Sequence, residues 1–282
     1  MKTLIIGGTS SLGQALKPTL SAFSEVITAG RKGCDLTIDL RDPMNKIVLP
    51  GNIDVVIHTA AHFGGETDEE ILAAEDVNVL GTLKLCQASV KAKAKSFILI
   101  SSLSACLQET SLYYSMYALS KKQTEEVARF YCAQHSLPLT ILRPSQLYGN
   151  EDSFRRHQPF IYNIIDNAIG GKDITIYGSK DPHRNYIYVD DFMNIIIKVI
   201  QHRIEGTYSC MYPSDVTYTQ IAKAALKAFH SNGKIHFLKN KEDIPDNIFE
   251  KDASLYKKID FHPQVSIEEG MKKIAHYRKL AI

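Results

Sequence analysis

The chain has 282 residues, 44% of them hydrophobic and 23% charged, with a formal net charge of +2. At about 150 residues per domain this is one large domain or two intimate ones, long enough to bury roughly three quarters of its unfolded surface. Both signs of charge are spread along the chain, so composition gives no electrostatic reason for nucleic acid or a membrane surface as the main partner.

Leu4-Ile5-Ile6 reads as a short buried strand. It runs into Gly7-Gly8-Thr9-Ser10-Ser11-Leu12-Gly13 and then an amphipathic stretch to about residue 23. Pro18 lies inside that helix, where a proline removes a hydrogen bond and kinks the axis. Residues 25–28 form a second short strand, and residues 54–58 a third, buried one. Residues 77–92 read as a helix with Val77, Leu80, Leu83 and Leu85 among its apolar positions, residues 97–100 as a buried strand, and residues 117–135 as another helix. The strand at residues 139–142 stops at Arg143-Pro144. Short continuous apolar strands separated by helices predict a parallel sheet with helices on both faces.

After about residue 150 the alternation is lost. A polar stretch at 151–159 precedes a helix near 160–169, a Gly170-Gly171 break and a strand at 174–177. Residues 186–189 are strand-like, residues 191–202 helix-like, and a Lys-rich helix closes the chain from about 267. The predicted fold is α/β, a doubly wound parallel sheet with a smaller mixed α/β lobe.

The glycine turn follows a strand and opens a helix, the context in which backbone N–H groups and a helix N-terminus hold a pyrophosphate. The next strand ends at Thr28-Ala29-Gly30-Arg31-Lys32, the position that faces an adenosine ribose in such folds. An acid there would bind the 2′-hydroxyl, whereas an arginine pairs with a 2′-phosphate. Arg31 and Lys32 with no acid before Asp35 favour NADP(H), with NAD(H) as the other possibility; a solvated basic turn is the alternative reading. Tyr117 and Lys121 stand at i and i+4, on one face of a helix. An ammonium there favours the phenolate and lowers its pKa from about 10 toward the working range, so that it can exchange a proton as hydride moves. Ser101-Ser102 ends a buried strand at the carboxyl edge of the sheet, where a hydroxyl can meet the reacting oxygen.

With these motifs the chain resembles the extended short-chain dehydrogenases, in particular the NAD-dependent epimerase/dehydratase family that acts on nucleotide sugars. The resemblance covers nearly the whole chain. It rests on the glycine turn, Asp39-Leu40-Arg41-Asp42, Asp54-Val55-Val56-Ile57-His58-Thr59-Ala60-Ala61 and Asn78-Val79-Leu80-Gly81-Thr82. It continues, in family order, through Ser101-Ser102, Tyr117 with Lys121, Arg143-Pro144 with Tyr148-Gly149, residues 184–191 and Ile267-Glu268-Glu269-Gly270.

The resemblance implies a Rossmann sheet and a catalytic trio of Ser102, Tyr117 and Lys121. It implies cofactor contacts from Gly7, Ser10, Ser11, Leu12, Gly13, Arg31, Asp39, Leu40, Thr59, Ala60, Ala61, Asn78, Tyr117, Lys121 and Pro144. Substrate contacts would come from Ser102, Gln146 and Arg184, with the Arg184 guanidinium on the diphosphate; an ion pair with Asp190 or Asp191 is the alternative for Arg184. Those two aspartates are expected to cap the following helix. His62 and Phe63 are expected to border the substrate. Residues 1–150 would form the dinucleotide-binding domain, with 185–203 returning to it, and 151–184 with 204–282 the substrate lobe. A homodimer, through a helix bundle that includes the Tyr117 helix, is also implied.

Three departures stand out: Ser10 for the usual middle glycine, Gln146 where asparagine is commoner, and only 15 positions between Ser102 and Tyr117. Dehydratases of the family carry Asp-Glu after the strand serine or threonine, and Leu103-Ser104 offers no carboxylate, which argues against dehydration. Arg31 favours a reductase that transfers hydride to C4 of a 4-keto nucleotide sugar, with Tyr117 as proton donor. A nucleotide-sugar 4-epimerase is the alternative. A redox-sensing regulator without turnover is a third reading, against which the intact Tyr117 and Lys121 weigh.

The five cysteines, Cys34, Cys86, Cys106, Cys132 and Cys210, form no CxxC pair and are odd in number. They read as small apolar side chains in a reducing compartment rather than a disulfide framework or metal site. The ten histidines show no HExxH spacing, so no metal is expected. No secretory pattern opens the chain and no apolar run reaches the roughly 18 residues of a membrane span, so a cytoplasmic location is expected.

Overall fold

The computed structural model describes residues 1–280. They divide into two compact units. The first comprises Met1–Pro144, Ile195–Ser209 and Ser254–Ile259; the second comprises Ser145–Asn194, Cys210–Ala253 and the described residues from Asp260 on.

The first unit is built on one sheet. Its strands are β1 (Lys2–Ile6), β2 (Glu25–Gly30), β3 (Leu36–Thr37), β4 (Val55–His58), β5 (Phe97–Ile100) and β6 (Leu139–Pro144). In space the order is Gly206–Cys210, β6, β5, β4, β1, β2, β3. Every pairing from β6 to β3 is parallel. All residues of β4 and β5 are buried, as continuous apolar strands covered on both faces require. The chain winds outward from β1 to β3, then returns to the other side of β1 with β4. The carboxyl ends of β1 and β4 therefore frame the crevice at which doubly wound sheets bind ligands.

Helix α1 (Ser11–Ser21) buries Leu12, Leu16 and Leu20, a stripe at every fourth position facing the sheet. It continues through Pro18, which lies on the exposed side with Gln14. The Gln14 carbonyl, which proline cannot serve, is thus open to water.

The helix predicted from residue 77 begins nine residues earlier. Thr67 accepts from Glu70 N–H and the Glu70 carboxylate returns to the Thr67 N–H, a complete capping box. From there α2 (Asp68–Ala74), a π-helical turn (Glu75–Leu80) and α3 (Gly81–Lys91) run on without a break. Gly81 explains its place in the Asn-Val-Leu-Gly-Thr run, since a Cβ there would lie 2.8 Å from the Leu40 Cβ. Helix α4 (Met116–Gln134) is capped by Ser115 and carries Tyr117 in its first turn.

The second unit has no comparable sheet. Gln146–Tyr148 pairs with Tyr186–Tyr188, His183–Arg184 with Val216–Thr217, and Ile174–Tyr177 with Ile235–Leu238, each a two-stranded ribbon. Helices Pro159–Ile169, Tyr218–Ala228 and Ile267–Leu280 accompany them. The Tyr148-Gly149 and Ile-Glu-Glu-Gly motifs meet here: the Tyr148 hydroxyl donates to the Ser266 carbonyl at 3.3 Å. A Cβ on Gly270 would fall 2.1 Å from that hydroxyl. Among the described residues no helix is long and apolar enough to cross a membrane.

Candidate active site

The glycine turn sits at the carboxyl end of β1. Gly7 has φ +87°, and a Cβ on it would lie 2.6 Å from the Ala60 nitrogen. A Cβ on Gly13 would lie 2.3 Å from the Gly7 carbonyl oxygen. Only glycine lets helix α1 start this close to the strand end. Ser10, the departure from the usual glycine, has a structural reason. It is the N-cap of α1, accepting from Gly13 N–H at 3.0 Å, and its hydroxyl lies 2.9 Å from that of Thr59. Thr59 in turn donates to the Ile6 carbonyl at 2.9 Å. One serine thus starts the helix and stitches β1 to β4. No acidic side chain occupies the first turn of α1, so its positive end is left for an anion. These features, with Ser11, Leu12, Ala60 and Ala61 alongside, fit the pyrophosphate of a dinucleotide.

Arg31 and Lys32 are exposed at the end of β2. The nearest acid in sequence, Asp35, is committed elsewhere: its Oδ2 accepts from Thr28 N–H at 2.8 Å and from the Thr28 hydroxyl at 2.7 Å. Asp39 is bound by the Arg41 guanidinium, which holds its carboxyl down to about 2. Leu40 beside it is buried.

The catalytic candidates converge beyond β5. Lys121 is buried, and its ammonium donates to the Ile100 carbonyl at 2.9 Å and lies 5.8 Å from the Tyr117 ring centroid. An ammonium has three donors, so capacity for ribose hydroxyls remains after Ile100. Burial pulls Lys121 down to about 8, with Glu125 opposing. Ser102 accepts from Ser104 N–H at 3.1 Å and donates to the Ser104 hydroxyl at 3.2 Å. The Tyr117 phenol departs from the expectation that Lys121 lowers it. Burial pushes it up to about 12, and the Ser102 hydroxyl is the group that opposes this. Desolvation prevails, and the phenol is a protonated acid at neutral pH.

Two buried polar side chains lie around this trio, and sequence reasoning missed the first of them. Glu125, one helical turn beyond Lys121, is 1% exposed in its side chain and takes Ser101 Oγ at 2.6 Å and Arg143 Nε at 2.8 Å. Burial would raise its carboxyl, and Arg143, Ser101 and Arg129 hold it below the ordinary range. The second is Asn78, assigned as a cofactor contact. In the structure it is buried in the π-helical turn and clamps the backbone of His62, accepting from its N–H at 2.7 Å and donating to its carbonyl at 2.8 Å.

The remaining predicted residues lie in or at the edge of the second unit. Pro144 ends β6 and closes the first of the three segments that make up the first unit. Gln146 Oε1 and Ser145 Oγ are buried without a hydrogen-bond partner among the described residues, the mark of a place awaiting water or ligand. Arg184 is 3% exposed. Its Nη1 donates to the carbonyls of His183 at 2.8 Å and Pro245 at 2.9 Å, and the guanidinium lies 5.1 Å from the Tyr218 ring centroid. The two aspartates have other partners: Asp190 meets Lys273 at 3.4 Å, and Asp191 accepts from the N–H groups of Gln264 and Val265. Asp191 therefore pins a distant loop, where a helix cap was expected. Its neighbour Asn185, which sequence did not single out, ties Tyr212 and Asp215. Among the described residues no cluster of histidine, cysteine or acid side chains could hold a metal.

Comparison with known proteins gives the chain's relatives and its fold. A UDP-N-acetyl-α-D-glucosaminuronate decarboxylase of Bacillus cytotoxicus is 27% identical over 278 residues, covering 90% of this chain and 84% of the relative. A CDP-abequose synthase of Salmonella muenchen is 26% identical, covering 79% of this chain and 76% of its own. Among solved structures, UDP-glucuronic acid 4-epimerase of Bacillus cereus, bound to UDP-glucuronic acid and NAD, superimposes with a TM-score of 0.82 at 19% identity over all of both chains. RMD of Pseudomonas aeruginosa, complexed with NADPH, gives 0.80 at 18% identity over all of both chains. At such identities the structures speak for the fold, which is of the Rossmann type. The sequence match is direct: the model of the NAD dependent epimerase/dehydratase family covers residues 3–210, and the chain belongs to that family.

Proposed function

We propose that this protein is an NAD(P)(H)-dependent oxidoreductase acting on a nucleotide sugar, and that it reduces a 4-keto sugar nucleotide by hydride transfer to C4. The substrate class is supported by the relatives, which carry the names of UDP- and CDP-sugar enzymes. The first unit serves as the dinucleotide-binding domain and the second as the substrate lobe. In the second, the unpartnered Gln146 and the buried Arg184 are the groups offered to the sugar nucleotide. Exposed apolar side chains on the first unit's helices, Leu72 at 64% and Phe130 at 70%, are consistent with a homodimer.

The observation that carries reduction over epimerisation is the end of β2. Asp35 is committed to Thr28, leaving Arg31 and Lys32 as the charged groups there. A 2′-phosphate gains a charge-assisted pair with an arginine that a hydroxyl does not. NADP(H) is the dissociable cofactor of reductive chemistry, so the basic end of β2 favours a reductase.

When bound, the nicotinamide supplies the hydride. Tyr117 holds its proton at neutral pH and delivers it from Oη to the C4 oxygen as the ketone becomes an alcohol. Ser102 orients that oxygen through its hydroxyl. Lys121 holds the ribose hydroxyls with the donors that Ile100 does not take, and its charge stabilises the phenolate left when the proton departs. Leu103 and Ser104 bring no carboxylate to the site, so an elimination lacks its acid and base.

The 4-epimerase remains the second reading, favoured by relatives such as UDP-glucuronate 4-epimerase of Thermodesulfobacterium geofontis, 26% identical over 243 residues. The test is the cofactor that accompanies the purified protein. The reductase reading expects little dinucleotide in the supernatant after denaturation and at least about tenfold tighter NADPH than NADH by calorimetry, the equivalent of roughly 1.4 kcal/mol. Near-stoichiometric bound NAD⁺ would establish the epimerase instead.

A further inference from the structure

We propose that Phe63 is a positioning residue for Tyr117: its ring is a fixed platform that orients the phenol and shields one face of it from water. The proposal rests on the reading of Tyr117 as the proton-transfer group.

The two rings are stacked, with centroids 4.8 Å apart and an interplanar angle of 14°, inside the range in which aromatic pairs attract beyond simple burial. Phe63 is 47% exposed. A phenylalanine that leaves half its surface in water is poorly used as core, and its ring stacks on Tyr117. The segment that carries it, between β4 and α2, is held to a single conformation by the site's own residues. Asn78 takes both the N–H and the carbonyl of His62, the residue before Phe63. The same Asn78 amide donates to Ser120 Oγ at 2.9 Å, and Ser120 Oγ donates to the Tyr117 carbonyl at 3.1 Å.

The contacts form a closed circuit, from Tyr117 through Ser120, Asn78 and His62 to Phe63 and back to the Tyr117 ring. Gly64 then lets the chain turn away. It has φ +72°, and a Cβ there would press within 3.1 Å of the Met116 Cβ and 3.2 Å of the Tyr117 nitrogen. The His62 imidazole fixes this turn, its Nδ1 accepting from Gly64 N–H at 3.1 Å. The π-helical turn has a role in the circuit, since it carries the one amide that reaches both the His62 backbone and α4. Such turns often mark functional sites.

A stacked platform constrains the phenol where catalysis is most sensitive. Rotation of Tyr117 about its side-chain torsions would separate the rings, and small displacements of a proton donor are costly in rate. The shield also contributes to the burial that keeps the phenol protonated. The groups that face the phenol are the Ser102 hydroxyl and, on its own helix, Lys121, with Glu125 one turn further; from the loop side His62 precedes the stacked ring.

The experiment is a pH titration of the full chain labelled with ¹³Cζ-tyrosine, without cofactor, with the Tyr117→Phe protein assigning the resonance. In the parent protein Tyr117 should remain protonated beyond pH 11. In Phe63→Ala its midpoint should fall by about one unit as water reaches the ring, and Phe63→Tyr should restore it. Phe63→Leu, which keeps apolar volume without a flat face, carries the same test if the alanine variant does not fold. In NADPH-dependent reduction of a UDP-linked 4-keto hexose, Phe63→Ala should lower kcat by about tenfold, with KM changed less than about threefold. An unmoved Tyr117 midpoint in both Phe63→Ala and Phe63→Leu overturns the platform. A lowered midpoint together with unaltered turnover in Tyr117→Phe upholds the platform and overturns the proton-transfer reading instead.

Discussion

The two units place their functional side chains by different means. In the first, a seven-stranded sheet fixes where each strand ends, and the ends carry the candidate residues: Gly7 after β1, Thr59 after β4, Ser102 after β5. In the second, three two-stranded ribbons leave position to long-range contacts. Arg184 is held by the Pro245 carbonyl 61 residues away, and Asn185 by Tyr212 27 residues away. A regular frame suits a proton donor that must stand still; an irregular one lets a substrate site be remodelled without disturbing the donor.

If that division holds, the largest effect should follow from the first unit and appear in turnover alone. Tyr117→Phe should lower kcat by roughly 10² to 10⁴ while dinucleotide affinity stays within a few fold, the loss of a general acid. Near-parental turnover in single-turnover assays would remove Tyr117 from the chemistry. Lys121→Ala should weaken both, since its ammonium is offered to ribose and phenol together. A variant unchanged in affinity and rate would show that its bond to Ile100 is purely structural.

Acid should separate the units next. His58 lies in the core of the first, its Nε2 on the Thr82 hydroxyl at 3.0 Å and its Nδ1 without a partner among the described residues. Burial, with the Lys121 charge adding, pulls it down to about 3. The folded value lies below the unfolded one near 6.5, so His58 contributes stability above about pH 6.5 that is lost as pH falls toward 3. At pH 4.5 the linkage amounts to roughly 3 kcal/mol. Asp191, buried in the second unit, shifts the other way: burial raises its carboxyl, so its contribution grows as pH falls. Hydrogen exchange at pH 4.5 should therefore open the first unit before the second, and His58→Gln should abolish that order. Equal protection of both units in the parent protein at pH 4.5 would contradict the linkage.

Arg184→Ala tests the second unit directly. Losing a charge-assisted contact of about 1.5–3 kcal/mol should weaken UDP-sugar binding by roughly 10- to 100-fold, with cofactor affinity untouched. The guanidinium also serves two backbone carbonyls. A fall in melting temperature with no selective loss of UDP-sugar affinity would make Arg184 a brace.

This difference also explains what could be read from sequence. The strands and the glycine turn were legible because period, turn and helix follow one another within a few residues. Ser10 looked like a weakened glycine motif, because its bond to Thr59 lies 49 residues away. The start of α2 was legible and missed: Thr67 and Glu70 spell a capping box. The raised Tyr117 phenol was not legible, because spacing gives the neighbour Lys121 but not the depth of burial. The Phe63 stack and the Arg184 carbonyls were hidden for the same reason, since each depends on a loop path that no local pattern specifies.

The smallest effect concerns the end of β2, where the first unit's regular frame gives way to an exposed turn. Arg31 is exposed, so its pair with a 2′-phosphate is screened by water and salt and is worth less than a buried one. About tenfold in preference, some 1.4 kcal/mol, is what such a contact should supply. Arg31→Ala should therefore reduce NADPH affinity to that of NADH while leaving NADH affinity nearly unchanged, because a ribose hydroxyl offers the guanidinium no charge-assisted pair to lose. Lys32→Ala should cost less, since a flexible ammonium lacks the planar fork that grips phosphate oxygens at two points. Raising salt from 0.05 to 0.5 M should narrow the preference in the parent protein and do nothing to it in Arg31→Ala. A preference that survives both the substitution and the salt would place the discrimination at another residue. The case for a dissociable cofactor, and with it reduction over epimerisation, would then lose its footing at Arg31.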